Sequence, residues 1–503
     1  LQLRKAAAAA RETLLDQAAA LWKADRATLV AHRGEIADPA TGKRIGYGAL
    51  THGQELLTAI RDDTPLASPS QWTVAGHSIP KVDARSFVTG AHRYASDLKR
   101  PGMGHGKVLR PPAFGATLVS LDVTAARAIP DVVVVQEPDL VGVVAADERT
   151  AERALAAIQA EWTSPPGECS DRDVSAFLKA HMRPGRDPSR QERGTLADGL
   201  AASDVRLSRT YTAAFIAHVA LEPRAVVAAW DGDHLTVWTG TQRPFGVRAD
   251  LARALQIPED RIRVLVPDTG SGYGSKHTGA MEVEAARLAR AAGRPVRVGW
   301  TREEEFTWAY FRPAGLVEAT AGARRDGTLL AWDFHNINSG TAGLPVPYDV
   351  PHAVVEFHPT RSPLRQGAYR ALAATLNHFA RESLIDELAQ EVGLEPLAFR
   401  LRNLTDERMR AALTAATERF GWGGTRPGPG RGVGLAAGHD KGAAFATCAE
   451  VEVERPTGKV VVHRIVTAFE PGAIVNPDHL KNQVEGATMM GLGGALFESI
   501  RFQ

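Results

Sequence analysis

The pattern of hydrophobic and polar positions predicts a chain that opens with one long helix. Apolar residues recur at helical spacing from Leu1 to about Lys23, among strong helix formers. We predict a helix with one buried face, whose apolar stripe consists of Leu3, Ala6, Ala10, Leu14, Ala18 and Leu21. Residues 24–82 are mixed and turn-rich, and their pattern assigns no firm element.

Short strands and helices alternate between Val88 and Trp162. The segments GATLVSLD, DVVVVQ and LVGVVAA predict strands, and TAARA predicts a short helix. Asp147 is predicted to cap a further helix, whose apolar stripe is Ala151, Ala154, Leu155, Ile158 and Trp162. A small α/β unit over residues 83–165 follows from this alternation. The stretch 166–204, rich in Pro, Gly and charge, then predicts a surface connection with a short helix near AFLKAHM.

The rest of the chain predicts a large α+β body. Strands are expected at AVVAAW, HLTVWTG, RIRVLVPD and PVRVGWT, with helices at VRADLARALQI, TGAMEVEAARLARAAG, ATLNHFARESLIDELAQEV and ERMRAALTAATERFGW. ATCAEVEVER and KVVVHRIVTAFE predict a hairpin around Thr457 and Gly458. The stretch GWGGTRPGPGRG marks a boundary before that hairpin. The predicted organisation is therefore 1–82, 83–165, 166–204, 205–430 and 431–503.

Composition narrows the function classes. Lys and Arg number 59 against 58 Asp and Glu, so the net charge of +1 offers no broad positive field for nucleic acid. Cys169 and Cys448 are too few for a disulfide framework, a four-thiolate zinc site or an iron–sulfur cluster. If the protein is redox active, its electron carriers must lie elsewhere. No apolar run approaches the ~18 residues of a membrane helix.

The two ends of the sequence suggest a piece of something larger. The chain opens at Leu1 without a methionine and stops at Gln503 directly after a helical run. We expect a processed or truncated product.

The sharpest local motif is PDTGSGYGSKHTG, residues 267–279, between a predicted strand and a predicted helix. Gly270, Gly272 and Gly274 leave the backbone free to approach a ligand beside a helix N-terminus, which suits a phosphate or pyrophosphate. The spacing fits neither a P-loop nor the Rossmann fingerprint. A purely structural strand-to-helix turn explains the loop equally well.

Two later segments add candidate ligand contacts. Arg370 and Tyr369 precede a predicted helix, where an arginine could contact phosphate with two donors or merely pair with a carboxylate. The helix of residues 476–498 carries four glycines, Gly486, Gly491, Gly493 and Gly494, which indicate close packing against a ligand or another helix. His218, Glu222 and His234 show no metal-ligand spacing, and Cys448 is best explained as a small core residue.

Together these segments resemble the molybdopterin-binding large subunit of the xanthine oxidase family. GSGYGSK resembles that family's GGFGGK loop, GAYRALAA its AFRGFG segment, and DELAQEVGLEPLAFRLRNL its helix ending in FRLRN. VNPDHLKNQVEGATMMGLGGALFE resembles the late glycine-rich helix, and residues 88–158 resemble the small hammerhead domain. The likeness runs from about Val88 to Phe497 and is strongest to the isoquinoline 1-oxidoreductase and nicotinate dehydrogenase type.

The resemblance implies an activity, a cofactor and partners. The activity is molybdenum-dependent hydroxylation of an N-heteroaromatic compound or oxidation of an aldehyde, with water as the oxygen source. The cofactor is molybdenum–molybdopterin, with the cytosine dinucleotide form as one option, and no protein side chain ligates the metal. The partners are a small [2Fe–2S] subunit and, as a candidate final acceptor, a cytochrome c subunit. The family's catalytic glutamate is expected outside these 503 residues, and the subgroup's twin-arginine export favours the periplasm over the cytoplasm.

Positions carried over from the family define a candidate site. Cofactor contacts are expected from Gln242, Gly272, Tyr273, Gly274, Arg370 and Gln483. His277 and Tyr369 are expected to face the substrate. Because an imidazole cannot supply the permanent carboxylate that purine hydroxylases carry at the position of His277, xanthine is disfavoured. A structural histidine is the alternative for His277.

Two rival functions remain. A non-catalytic or fragmentary scaffold subunit of such a complex would keep the fold and bind only the partner subunits. A nucleotide-binding enzyme would use the glycine-rich loop alone. Metal and pterin analysis separates all three.

Overall fold

The computed structural model describes residues 2–53, 59–185, 189–424 and 428–503, in two compact units. One unit comprises Leu1–Ile79 and Ala473–Lys481, and the other comprises Pro80–Gly472 and Asn482–Gln503. Helices account for 33% and strands for 27%, which confirms the predicted α+β class. Among the described residues, no helix combines the length and apolar content needed to cross a bilayer.

The first unit packs one long helix on a small sheet. Its elements are α1 (Gln2–Trp22), β1 (Val30–His32), β2 (Glu35–Ala37), β3 (Arg44–Gly46) and α2 (Tyr47–Thr51). The predicted helix is confirmed, but the predicted stripe is partly wrong, because Leu3 is 87% and Leu21 60% exposed. Three-residue antiparallel strands span only ~10 Å, against ~31 Å for α1, so the sheet covers only part of the helix, around Leu14, Leu15 and Ala18.

The second unit contains a seven-stranded sheet in the order β13-β12-β11-β14-β4-β7-β6. Its strands are β4 (Gly104–Val108), β6 (Val133–Glu137), β7 (Leu140–Ala145), β11 (Ala225–Asp231), β12 (His234–Thr239), β13 (Ile262–Leu265) and β14 (Val296–Gly299). Helices α8 (Pro244–Leu255) and α9 (Ala280–Ala292) pack on it around buried residues such as Val237, Leu251 and Leu288. The predicted strands are confirmed. Two of the strands predicted in the segment resembling a hammerhead domain, β6 and β7, continue the same sheet as the later ones, through the parallel pair β14 and β4.

Beside this sheet lies a two-stranded ribbon with its own small core. It comprises β5 (Thr117–Asp122) and β8 (Gln159–Thr163), with α3 (Ala84–Val88), α4 (Thr124–Arg127) and α5 (Glu148–Ala156) nearby in sequence. Asp147 caps α5 as predicted, accepting a hydrogen bond from the Thr150 N–H at 2.9 Å. The predicted stripe through Trp162 is wrong, because α5 ends at Ala156 and Trp162 lies in β8, opposite Leu118. At Trp162 the pairing of β8 with β5 decides the conformation, although the apolar spacing is helical.

A five-stranded sheet in the order β10-β15-β16-β17-β9 supports the main core. Its strands are β9 (Gln191–Arg193), β10 (Val205–Ala213), β15 (Gly315–Ala323), β16 (Leu329–Ile337) and β17 (His352–His358). The predicted connection 166–204 therefore does more than cross the surface: it supplies β9, α6 (Val174–Ala180) and α7 (Leu196–Ala201), and Leu178 is fully buried. The short helix expected near AFLKAHM is confirmed as α6.

Helices and a final hairpin complete the second unit. They are α10 (Arg302–Thr307), α11 (Ala374–Val392), α12 (Pro396–Arg402), α13 (Glu407–Phe420), β18 (Arg431–Asp440), β19 (Ala443–Glu454), β20 (Lys459–Glu470) and the part of α14 (Pro477–Leu496) that follows Lys481. The predicted hairpin is confirmed by the antiparallel pair β19 and β20. The predicted boundary at residues 421–432 includes 425–427, which lie outside the described residues.

Candidate functional site

One edge of the seven-stranded sheet gathers the segments that carry the candidate residues. Strands β12 and β13 are parallel, so their carboxyl ends lie side by side. Gln242 follows β12, and the glycine-rich loop follows β13. Strand β11 runs antiparallel to both β12 and β14, which brings its first residues and the end of β14 to the same edge. Ligands commonly bind at such strand ends, and the topology alone positions the loop there.

The glycine-rich loop between β13 and α9 packs its backbone against a second chain segment. Gly274 has φ +103°, and a Cβ atom there would lie 2.6 Å from the carbonyl oxygen of Ala368. Because a backbone oxygen cannot move aside cheaply, only glycine fits. Ser271 (φ 76°) and Tyr273 (φ 55°) are also left-handed. Such strained conformations cluster at ligand sites.

The second segment, residues 366–373, is strained in the same way. The Arg370 N–H donates to the Tyr273 carbonyl oxygen at 2.7 Å. Ala371 (φ 70°) and Leu372 (φ 54°) follow it. Four of the twelve described non-glycine residues with positive φ therefore lie in these two touching segments. The fold holds both backbones in costly conformations at one place.

Helix α14 is the third segment at this site, and it contacts Arg370 of the second segment. The Arg370 Nη2 donates to Gln483, at 3.0 Å to the side-chain Oε1 and 3.1 Å to the backbone oxygen. Its Nη1 lies 3.5 Å from the Met490 sulfur, a weak acceptor. Among the described residues, Arg370 has no carboxylate partner. The glycine loop, the arginine and the late glutamine thus meet at one place.

The two candidate glutamines are oriented by donors. The Gly274 N–H donates to Gln242 Oε1 at 3.1 Å, as Arg370 does to Gln483 Oε1. An N–H and a guanidinium can only donate, so both amide oxygens are engaged, and both NH₂ groups remain as donors among the described residues. A Cβ at Gly272 would lie 2.7 Å from Gln242 Oε1, so a larger residue there would displace the glutamine side chain.

A cavity of about 510 Å³ opens beside Arg370. Arg312, Tyr369 and Glu498 line it together with Arg370, and α14 contributes a wall of small and flexible residues: Ala487, Met490, Gly491, Gly494 and Ala495. Two of the four helical glycines therefore face this cavity. Burial lowers the pKa of the Arg312 guanidinium, whose Nη2 donates to the Ala214 carbonyl at 3.0 Å. Two arginines and one carboxylate leave the cavity positively charged.

The two expected substrate residues are placed differently. Tyr369 is 6% exposed and lines the cavity, and burial raises the pKa of its phenol. His277 is absent from the cavity lining and joins the site through its backbone, whose N–H donates to the Tyr310 hydroxyl at 3.1 Å. Tyr310 in turn donates to the Gly274 carbonyl oxygen. Burial, assisted by Arg243, lowers the pKa of His277 and keeps its imidazole neutral near pH 7.

Glu222 anchors the glycine-rich loop through its side chain, a role that sequence reasoning missed. Its Oε2 accepts from the Lys276 Nζ and from the Gly270 N–H, both at 2.8 Å, and its Oε1 accepts from Ser96 at 3.3 Å. The side chains of Glu222 and Lys276 are 7% and 2% exposed. Burial lowers the pKa of Lys276 even beside this carboxylate. The loop is therefore anchored by a buried ion pair.

His218 supports the second segment in a similar way. Its Nε2 lies 2.6 Å from the Ala368 carbonyl oxygen and must donate to it. Burial lowers the pKa of His218 to about 4, so the ring is neutral. Both His218 and Glu222 were set aside in the sequence for want of metal-ligand spacing. Their partners lie 150 and 54 positions away, and no local signal could have paired them.

These donors suit the cofactor that the resemblance implies. Two amide NH₂ groups and a guanidinium that has no carboxylate partner in the described chain match the many acceptor oxygens of a pterin and its phosphate. Among the described residues, no group of three His, Cys, Asp or Glu side chains at this loop could ligate a metal. The chemistry of the site fits molybdopterin.

Comparison with known families agrees with this fit. Residues 180–404 match the molybdopterin cofactor-binding domain family, and residues 416–503 match a second family of the same description. A nicotinate dehydrogenase subunit from Pseudomonas putida is 33% identical over 551 residues, which cover 100% of this chain and 46% of that protein. The beta subunit of isoquinoline 1-oxidoreductase from Brevundimonas diminuta is 26% identical over 99% of this chain and 72% of its own length.

A solved structure gives the same result for the fold. Quinoline 2-oxidoreductase from Pseudomonas putida 86 superposes with a TM-score of 0.63 at 26% identity, covering 78% of this chain and 62% of that one. The chain thus spans about half the length of the nicotinate dehydrogenase protein and matches somewhat less than two thirds of the quinoline enzyme chain. The chain belongs to the molybdopterin-binding subunits of the xanthine oxidase family.

Proposed function

We propose that this chain is the cofactor-binding part of a molybdenum hydroxylase that hydroxylates an N-heteroaromatic compound or oxidises an aldehyde. One observation carries the proposal: the glycine-rich loop, Arg370 and Gln483 meet, with amide and guanidinium donors left unused among the described residues. Family membership supplies the chemistry, and the relatives named for nicotinate and isoquinoline support the heteroaromatic class.

The chain's own residues would hold the cofactor by hydrogen bonds. Arg370 is fixed by Gln483 and so presents a positive charge without rotating freely. Gln242 and Gln483 would donate through their NH₂ groups because their oxygens are engaged, and Gly272 and Gly274 would let the ligand approach the backbone. When bound, the molybdenum cofactor supplies two-electron oxidation of a substrate carbon with oxygen from water.

Substrate selection falls to His277 and Tyr369 in this proposal. A neutral imidazole can donate or accept one hydrogen bond, which suits a ring nitrogen or a carbonyl oxygen better than a purine edge that needs a carboxylate. Tyr369, buried with a raised pKa, stays a neutral phenol against the substrate. The expected substrate is therefore an electron-poor N-heteroaromatic compound or an aldehyde.

Electrons must leave through partners, since two cysteines cannot build an iron–sulfur cluster here. We propose a small [2Fe–2S] subunit as the immediate acceptor and a cytochrome c subunit as the final one. The cytosine dinucleotide form of the cofactor is part of the same proposal. Subunit names among the relatives agree with a multi-subunit enzyme.

Cofactor analysis of the complex tests the proposal. The chain purified with its partner subunits should contain molybdenum and a pterin in equal amounts. Arg370→Ala removes charge-assisted hydrogen bonds of about 1.5–3 kcal/mol each and should weaken cofactor retention roughly tenfold to a hundredfold. Arg361→Ala is the matched control, because this exposed arginine shortly before the segment pairs with Glu168 at the surface.

Each opposing result has a definite meaning. Full molybdenum occupancy in Arg370→Ala would refute the assigned site. A wild-type complex that assembles without molybdenum or pterin would favour the scaffold function. Tight binding of ATP or NAD by molybdenum-free protein would favour the nucleotide-binding enzyme.

A further inference from the structure

A cluster of two histidines and a glutamate lies on the five-stranded sheet, outside the loop described above. His335 is on β16, and Glu356 and His358 are on β17. One ligand atom from each of the three side chains lies within 4.8 Å of the other two. Among the described residues, this is the one group of three His, Cys, Asp or Glu side chains so arranged.

Strand register explains why the three side chains share one face. β16 and β17 are parallel, and His335 pairs with Glu356. His358 lies two residues beyond Glu356, and side chains two apart on a strand point to the same face. The neighbours Phe334 and Val355 point the other way, into the main core. A rigid, well-packed sheet therefore holds the cluster in place.

Asp333 fixes the form of His335 that a metal requires. The His335 Nε2 lies 2.8 Å from the Asp333 carboxylate and donates to it. In the neutral ring the lone pair is then on Nδ1, which accepts a hydrogen bond from the Nε2 of His358 at 2.9 Å, and a bound metal would take the place of that proton. A carboxylate behind a histidine, on the nitrogen opposite the ligand atom, is the usual arrangement at protein metal sites.

The spacing of the two histidine nitrogens fits a metal after a small adjustment, and the Glu356 ligand atom lies within 4.8 Å of both. Zinc bonds nitrogen at about 2.0–2.1 Å, so two tetrahedral ligands stand about 3.3 Å apart. The histidine nitrogens need to separate by only a few tenths of an ångström from their present 2.9 Å. Glu356 is 5% exposed, whereas both histidines are half-buried, so an ion can enter from solvent on the histidine side.

Arg190 contacts this cluster without closing the site. It contacts Oε2 of Glu356 and also pairs with Glu192. A carboxylate has two oxygens with about four lone-pair positions, so Glu356 can keep the arginine and still bind a metal. The arginine neutralises the buried carboxylate and so offsets the cost of its burial.

We propose that His335, Glu356 and His358 bind one divalent transition-metal ion of the zinc type, with a fourth position open to water. Two imidazoles and one carboxylate suit Zn²⁺, Co²⁺ or Ni²⁺ better than Mg²⁺ or Ca²⁺, which prefer all-oxygen sites. The ion would join β16 to β17. This site is independent of the molybdenum cofactor and of the proposed hydroxylase function.

Cobalt titration of the full chain tests the proposal. One equivalent of Co²⁺ should bind with the strong visible absorption of four- or five-coordinate cobalt, and one equivalent of Zn²⁺ should remove that absorption. His358→Ala and Glu356→Gln should each weaken Co²⁺ binding at least tenfold. His234→Ala is the matched control, because His234 also lies beside a carboxylate, Asp233 at 2.9 Å, but belongs to no three-ligand cluster among the described residues.

Several outcomes would overturn the site. The wild type could show only the weak bands of six-coordinate aqueous cobalt, or His358→Ala could retain full affinity. Loss in the His234 variant equal to that in His358→Ala would indicate surface binding. Circular dichroism checks that the variants fold, and should His358→Ala fail to fold, the wild-type spectrum and the isosteric Glu356→Gln variant still decide.

Discussion

Two clusters of polar and charged side chains in the second unit behave in opposite ways. The Glu382 cluster consists of Tyr348, Arg381, Glu382, Asp386 and Arg400, between α11, α12 and β18. The loop site consists of the glycine-rich loop with Glu222, Gln242, Arg370 and Gln483. Both contain arginine side chains and hydrogen-bonded amides or carboxylates. They differ in how many of their donors have acceptors.

The Glu382 cluster closes on itself. All five N–H donors of Arg400 have acceptors: Glu382 Oε2 at 3.0 Å, Asp386, and the carbonyl oxygens of Pro396, Glu382 and Leu435. Glu382 also accepts from Arg381 at 3.0 Å, from Tyr348 and from the Ala437 N–H. Despite full burial, the two guanidiniums lower the pKa of Glu382. Because these donors and acceptors are engaged with one another, the cluster does not suit a ligand.

The loop site leaves donors unused. Within the described chain, Arg370 has only the two oxygens of Gln483 and the weak sulfur of Met490, and both glutamine NH₂ groups remain. A saturated buried network stabilises a fold, whereas an unsaturated one at a strand edge fits a ligand rich in acceptors. Donor saturation therefore separates the structural cluster from the binding site.

Removing the centre of the Glu382 cluster should give the largest effect. Glu382→Ala leaves two arginines buried against one partly exposed carboxylate, and arginine cannot lose its proton. We expect a loss of about 3–5 kcal/mol in the free energy of unfolding, measured by urea denaturation. Glu391→Ala on the exposed face of the same helix should change stability by less than about 0.5 kcal/mol. A loss under about 1 kcal/mol for Glu382→Ala would contradict the structural role that distinguishes the Glu382 cluster from the loop site.

Removing the anchor of the loop should cost less. Glu222→Ala leaves Lys276 buried, but a lysine with a lowered pKa can become neutral. We expect a loss of about 2–3 kcal/mol near pH 7, together with weaker cofactor retention. The loss should shrink as pH rises, since deprotonation removes the unpaired charge.

Replacement of both partners sharpens that result. The double variant Glu222→Ala with Lys276→Met should recover part of the lost stability, because it no longer buries an unpaired ammonium group. Thermal unfolding measured at several pH values compares the single and double variants. If the double variant is no more stable than the single one, the ion pair is not what holds the loop.

A third buried carboxylate, Glu282 on α9, tests how much a guanidinium partner changes the pKa and the stability cost of a buried carboxyl group. It accepts from the Thr239 hydroxyl at 2.7 Å, and burial raises its pKa to about 6. A carboxyl group with a raised folded-state pKa binds more protons in the folded state, so stability falls as pH rises from about 4.5 through 6. Glu282→Gln removes this penalty, about 2 kcal/mol, and should be the more stable form at pH 8.

Urea denaturation between pH 4.5 and 8 measures this difference. The wild type should lose stability relative to Glu282→Gln across that range, whereas Glu382 should act in the opposite direction. Its lowered pKa contributes stability above about pH 4.5, which is lost as the solution becomes more acidic. Parallel pH profiles for wild type and Glu282→Gln would show that Glu282 is not penalised by burial.

The smallest effect on stability is expected at His277. Its backbone, not its ring, donates the hydrogen bond to Tyr310, so His277→Ala should change the free energy of unfolding by less than about 1 kcal/mol. The ratio of kcat/KM for a heteroaromatic substrate to that for an aldehyde should shift about tenfold or more in the assembled enzyme. An equal loss on both substrates would indicate a structural role.

Local pattern was enough to predict most elements around the site. Strands β11 to β14, helices α8, α9 and α11, and the hairpin of β19 and β20 follow from periodicity, because a half-buried element repeats its apolar residues at a fixed interval. The same reasoning failed at Trp162, where a strand follows a short helix without a change in composition. It assigned nothing to residues 24–82, which hold three strands of only three residues each in their described part.

The sequence by itself determined the types of element, the glycines that the loop backbone requires, and the motifs of the molybdopterin-binding family. Only the tertiary structure decided that Glu222 anchors Lys276 and that His218 supports Ala368. It also decided that Arg370 lacks a carboxylate partner among the described residues. The shared face of His335, Glu356 and His358 likewise follows from the tertiary structure. Periodicity reports the environment of a residue along its own helix or strand. Partners tens of residues away are chosen by strand order and register, which depend on the packing of the whole sheet.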